Sequence, residues 1–146
     1  PIFAWLSIII FSTMNKVMLI GYVGKEPEVH YYDIDQSVAS FSLATTERGY
    51  TLPNGTKIPD HTDWHEIVLF KNLSKYAEKY IHKGDKLYVE GRVRYRNYDD
   101  KKGIRRQITE IYADSLEWLA ASKKNEIFSV DNGDSLPTVG EIENFK

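Results

Sequence analysis

Cysteine is absent from the 146-residue chain. This excludes a disulfide framework, a thiolate metal site and a cysteine nucleophile, and it suits a reducing compartment such as the cytoplasm. A surplus of one charge is missing too. Nineteen basic residues face 21 acidic ones, a formal net charge of -2, so bulk charge announces no polyanionic partner. No hydrophobic run is long enough to cross a membrane. The apolar stretch at residues 1–11 carries no charge but is too short to span a bilayer. It lacks the basic start and small-residue cleavage site of a secretory signal. Strand patterning begins only after Met14, so residues 1–13 read as an apolar extension outside the domain. No membrane partner is expected. Catalytic motifs are also missing: there is no nucleophile elbow, Gly-rich phosphate loop or dinucleotide fingerprint. His61 and His65 stand four apart on an extended stretch, which separates them by roughly 13 Å and prevents their chelating one ion. Asp99-Asp100 reads as a turn, not a metal site. The expectation is a non-enzyme without metal or cofactor.

Aromatic side chains are plentiful, at 13% with ten Tyr. The chain centres on Thr62 to Phe70, an uninterrupted run of aromatic, β-branched and polar residues that reads as a strand. Alternation puts Trp64, Glu66, Val68 and Phe70 on one face and His65, Ile67 and Leu69 on the other. Apolar residues on both faces imply a central strand. Trp64 and Phe70 are then either core or a platform for flat rings.

Before this stretch, Asn15 to Gly24 reads as a strand with a bulge or bend at Gly21, and residues 25–28 as a turn around Pro27. Ser37 to Thr46 is a second strand. Residues 47–61 form a long loop with a turn at Asn54-Gly55, of the kind that tends to be functional. After it, the spacing of Leu73, Tyr76, Ala77, Tyr80 and Ile81 predicts a helix over 72–82. Asn72 is placed to cap its start and Gly84 its end. Lys86 to Tyr98 and Arg105 to Trp118 are two further strands, joined by a charged hairpin loop. Residues 120–146 are polar and acidic, and read as a flexible tail. Five strands with one helix between the third and fourth match a small all-β barrel, the oligonucleotide-binding fold.

Charge distribution says more than its sum. The tail carries a net of -2, so the rest balances to zero. Within that rest, residues 92–106 hold seven basic residues against Asp99 and Asp100. Alternation places Arg92, Arg94, Arg96 and Tyr98 on one strand face. Guanidinium groups and a ring in a row match the phosphates and bases of a single strand. The competing reading is a solvated face beside core Val93 and Tyr95.

At this point residues 15–119 closely resemble the bacterial single-stranded DNA-binding protein family, the homotetrameric replication type. The matching segments are Asn15-Lys16-Val17 with Gly21 and Gly24, Pro27-Glu28-Val29, Ser42 to Thr45, and Trp64-His65 running to Val68-Leu69-Phe70. Lys83-Gly84, Val89-Glu90-Gly91 and Arg94 through Tyr98 complete the set. The resemblance implies base stacking on Trp64, Phe70 and Tyr98, where the family often has Trp at the last position. It implies phosphate contacts at Lys16, Lys83, Arg94 and Arg96, which Arg92 supplements. Gly49 replaces a stacking Trp, a role Tyr50 takes if it substitutes. Glu66, Asn72 and Asn97 replace positions commonly basic, which predicts weaker phosphate contact, offset by Arg92, Lys71 and Lys101. The resemblance assigns His65 to a subunit interface.

The family's acidic C-terminal tip recruits replication and repair proteins. Here the tail is short, and Asp131 to Pro137 resembles the tip only faintly.

The sequence is thus expected to comprise an extension (1–13), a single-stranded DNA-binding domain (14–119) and a tail (120–146). It is expected to act without a cofactor as a cytoplasmic, nucleoid-associated homotetramer in replication, repair and recombination. The alternative is a protein-interaction module of a primosome-like assembly on the same fold.

Overall fold

The structure is a computed structural model and describes residues 13–122. Nearly all of the N-terminal extension and of the acidic tail lies outside the described residues.

Among the described residues, eight strands and a helix follow in order. They are β1 (Val17–Val23), β2 (Glu28–Asp33), β3 (Gln36–Glu47), β4 (Tyr50–Thr51), β5 (Lys57–Ile58), β6 (His61–Phe70), α1 (Lys71–Tyr80), β7 (Lys86–Asp99) and β8 (Arg105–Ala120). The main sheet runs β1-β7-β8-β6-β3-β2, and an additional β1–β3 pairing joins its first strand to its fifth. Five strands (β1, β7, β8, β6 and β3) therefore close a ring, with α1 between the third and fourth of them in chain order. This agrees with the oligonucleotide-binding fold expected from the sequence. The pairs around the ring are antiparallel except β6–β8, which is parallel and joins only Ile67 to Ile111 and Val68 to Tyr112.

Period-two alternation fills the ring. Phe41, Leu43, Ile67, Leu69, Leu87, Val89, Ile111 and Leu116 point inward and are fully or nearly fully buried. Each such side chain contributes about 1.5–3 kcal/mol of transfer free energy. The helical stripe plugs the barrel: Tyr76, Ala77 and Ile81 are buried, and Leu73 and Tyr80 pack against them. Ser74 of α1 and Ser37 of β3 are both buried and satisfy each other through a 2.9 Å hydroxyl–hydroxyl hydrogen bond.

Several local expectations are corrected. Strand β2 was not foreseen, because Glu28–Asp33 is nearly all exposed and shows no apolar alternation. It forms by pairing along β3. The long loop holds the small β4–β5 hairpin around the expected turn, where Gly55 takes φ +86. Helix α1 starts at Lys71, not Asn72. Phe70 is its N-cap and supplies no side-chain hydrogen bond. Ile81, not Gly84, ends it, donating its N–H to the Ala77 carbonyl at 3.1 Å. Gly84 does take a positive φ of 91, but in the turn into β7, where its N–H donates to the Val23 carbonyl at 2.8 Å.

Gly21 carries no bulge, since the β1–β7 register runs through it unbroken. A side chain there would meet the Ala44 carbonyl oxygen at 2.3 Å, so Gly21 lets β1 cross onto β3. Asn15 lies ahead of β1 but extends its pairing with side-chain atoms. Its Nδ2 donates to the Val93 carbonyl at 2.8 Å, and its Oδ1 accepts from the Val93 N–H at 2.9 Å.

Candidate nucleic-acid interface

The outward face of the barrel is built from alternate residues of five strands. Ser40 of β3, Val68 of β6, Tyr112 of β8 and Arg92 of β7 stand in one row. Tyr22, Ala44 and Trp64 stand in another, across β1, β3 and β6. Sequence alternation had put Trp64, Glu66, Val68 and Phe70 on a common face, and they share this one.

Burial answers whether Trp64 is core. Its residue is 64% exposed, while Val68, two positions from Phe70 on the same face, is 5% exposed. Trp64 is therefore a surface ring. It lies against Gly24, where an added Cβ would sit 2.3 Å from the indole Cζ3 and 2.8 Å from Ser42 Oγ. A glycine at that spot lets the indole lie flat on the barrel wall. Phe70 is half-buried and meets Tyr112 edge-to-face, with ring centroids 5.0 Å apart. The Arg94 guanidinium lies 5.9 Å from the Tyr112 ring centroid, within cation–π range. Indole, phenyl, phenol and guanidinium thus share one face.

Tyr112 was not among the residues singled out from sequence. Its signal is present in the flanking pair: Ile111 and Ala113 are inward, so Tyr112 must point out.

Beyond Val93 and Ile111, β7 and β8 leave the barrel as a two-stranded arm. The pairing continues to Asp99↔Arg105. Arg92 at its base and Arg94, Arg96 and Tyr98 along it are all exposed. Tyr95 is 68% exposed and is not core, because neither face of the arm is covered. Val93 is half-buried at the arm's base. Asp99 is the last residue of β7, and Asp100 alone of the expected pair opens the tip turn. Asp100 accepts from the Ile104 and Lys102 N–H groups, each at 2.9 Å, and from Arg106 Nε at 3.0 Å. These hydrogen bonds, the Ile104 one foremost, hold its carboxyl below the usual range.

Two carboxylates interrupt the basic stripe. Glu110 is 7% exposed and accepts from Arg96 Nε at 2.7 Å. Glu66 is half-buried, and desolvation first and then Glu110 and Glu28 raise its pKa, against Lys25, which lowers it. Arg96 is therefore partly committed to Glu110.

The other expected residues are dispersed. Tyr50 is 62% exposed on the β4–β5 hairpin. Lys16 is exposed but ion-paired to Glu90 at 2.9 Å. Lys83 is exposed after α1, and its backbone N–H donates to Glu26 at 2.9 Å. His65 is half-buried on the inward side, with Nε2 2.8 Å from Thr45 Oγ1. Among the described residues no group of three or more His, Asp or Glu is arranged to hold a metal, and no helix is long and apolar enough to cross a membrane.

Residues 14–119 match the sequence model described as the single-strand binding protein family. A single-stranded DNA-binding protein of Bacteroides thetaiotaomicron is 53% identical over 113 residues, covering 77% of this chain and 70% of that protein. One from Neisseria meningitidis is 37% identical over 113 residues, covering 77% and 64% respectively. Among solved structures, a Plasmodium falciparum SSB complex with ssDNA superposes with a TM-score of 0.64 at 36% identity. That match covers 74% of this chain and 96% of that one.

Proposed function

The chain belongs to the single-strand binding protein family, and on that premise we propose that it binds single-stranded DNA without sequence preference, in replication, repair and recombination. The observation that carries this is the exposed indole of Trp64, on the same outward face as Phe70, Tyr112 and the arginines of β7. Every base offers a π-face, so aromatic stacking tolerates any sequence, while arginines track the phosphates. The relevant groups are Trp64, Phe70 and Tyr98, with Tyr50 on its hairpin, as stacking rings, and Lys16, Lys83, Arg92, Arg94 and Arg96 as phosphate contacts. The domain that does this spans residues 14–119. It acts without catalysis. A protein-interaction reading would need Trp64 to be interface core, and three arginines along β7 disfavour that.

We further propose a homotetramer. Met18, Ile20 and Tyr22 on the outer face of β1 are 63%, 56% and 55% exposed. A second copy would cover such a face. The family resemblance also assigns His65 to assembly, although its ring turns to the inward side, away from this face.

A fluorescence titration with oligo-thymidine at several salt concentrations tests the binding. Affinity should fall on a log–log plot with a slope of about -0.7 per phosphate neutralised, and indole emission should be quenched. Absence of binding, or binding indifferent to salt, would overturn the reading.

A further inference from the structure

Among the described residues one non-glycine residue has a positive φ: Lys71, at 54. A lysine in the left-handed region carries a steric penalty that glycine escapes, and such strain persists where something else selects the side chain. Local structure offers no compensation. Lys71 opens α1, whose start has no side-chain cap. Among the described residues, the Lys71 side chain makes no ion pair or hydrogen bond. It is exposed and follows Phe70 directly, at the edge of the aromatic face.

From Lys71 the lysines recur at four-residue spacing, as Lys75 and Lys79. Four residues advance a helix by about 6 Å and return close to the same side, so the three ammonium groups form a track along α1. Lys75 lies 3.6 Å from Asp35 in a pair with both partners solvent-exposed, a contact that holds little against a competing phosphate. Lys79 lies over the Tyr80 ring at 5.0 Å. Glu78, the acid beside them, accepts a hydrogen bond from the Tyr31 hydroxyl.

We propose that Lys71 is a phosphate-binding residue, and that Lys71, Lys75 and Lys79 carry a single strand off the aromatic face and along α1. This rests on the DNA-binding reading above. Lysine is kept at a strained position because its charge begins this second leg of the path.

The test uses the full chain with oligo-thymidine, pairing thermal unfolding with titration across salt for wild type, K71G, the double variant K75Q/K79Q, and W64A. K71G should melt a few degrees higher, since glycine relieves the strain. It should also bind severalfold more weakly, with a salt slope shallower by about 0.7. K75Q/K79Q should melt like wild type and lose about twice that slope. If K71G and K75Q/K79Q keep wild-type affinity and slope while W64A weakens binding, the α1 track is overturned and the aromatic site stands. A K71G protein that melts no higher than wild type also overturns it, since no strain was then being held. If wild type itself fails to bind, the DNA-binding reading fails and takes this inference with it.

Discussion

Trp64 illustrates what one residue's surroundings decide. Its alternation was legible in the sequence, but core and platform were not distinguishable, because Val68 shares its face and is buried. The difference comes from neighbours distant in sequence. Tyr112 pairs beside Val68, whereas Gly24 opens a flat seat beside Trp64. Trp64→Ala should therefore cost roughly 1–3 kcal/mol of DNA binding, as a lost base stack does, with little change in melting. A binding titration set beside thermal unfolding checks this, and a large drop in melting with undiminished affinity would return the ring to the core. Tyr112→Ala should act in the same direction, since it removes the ring shared by Phe70 and Arg94.

Glu66 gives a pH dependence. Burial raises its pKa above the ordinary 4.5. Its ionised form is the disfavoured one in the fold, so the associated stability is complete below the unfolded value and is lost as pH rises through the raised folded value. The same sign holds for DNA. Protonation removes a negative charge from the phosphate-facing surface, so affinity should climb as pH falls through the raised value. Glu66→Gln should bind more tightly at neutral pH and flatten that climb, which titration at a series of pH values would reveal.

At the scale of elements, strands with a buried face were legible and those without one were not. Strands β3, β6 and the barrel halves of β7 and β8 declare themselves by alternation, and α1 by its apolar stripe. Strand β2 and the β4–β5 hairpin bury little, so nothing in their own residues marks them; they exist because a neighbour offers a ladder. The misjudged caps of α1 have a similar cause. Phe70 continues β6 straight into the helix, and Asn72 is left inside the first turn. The arm formed by outer β7 and β8 is where this matters for function. It carries Arg94, Arg96 and Tyr98 but contributes none of the buried hydrophobic core. Replacing residues 94–110 with a tight two-residue turn between the paired Val93 and Ile111 should leave melting nearly unchanged while weakening oligo-thymidine binding and flattening its salt slope. Calorimetry with titration would show whether fold and site separate in this way.

For the whole molecule, the sheet leaves one flank incomplete. Strand β1 pairs with β7 along its length but with β3 only at Tyr22 and Val23, so much of one edge is open. Its outward side chains Met18 and Ile20 lie in water. Unpaired edges and apolar faces favour association. Ile20→Glu should lower the mass measured by light scattering without unfolding the barrel. A wild-type protein that is already a monomer at micromolar concentration would contradict the proposed assembly. The sequence pointed to this assembly through family resemblance alone, because β1's alternation looks the same whether its second face meets solvent or another copy.

The parallel closure of β6 against β8 also has a consequence in time. Two residue pairs make this seam, and they join segments far apart in the chain, so a long loop is closed for few rungs. Such nonlocal pairings slow folding, and this one is expected to form last. Tyr112 sits in the seam itself. During synthesis, a nascent chain that has emerged only through β7 would already display Trp64, Phe70 and its arginines, yet lack the strand that draws them onto one surface. Affinity for a single strand should thus switch on late and abruptly, as β8 leaves the ribosome.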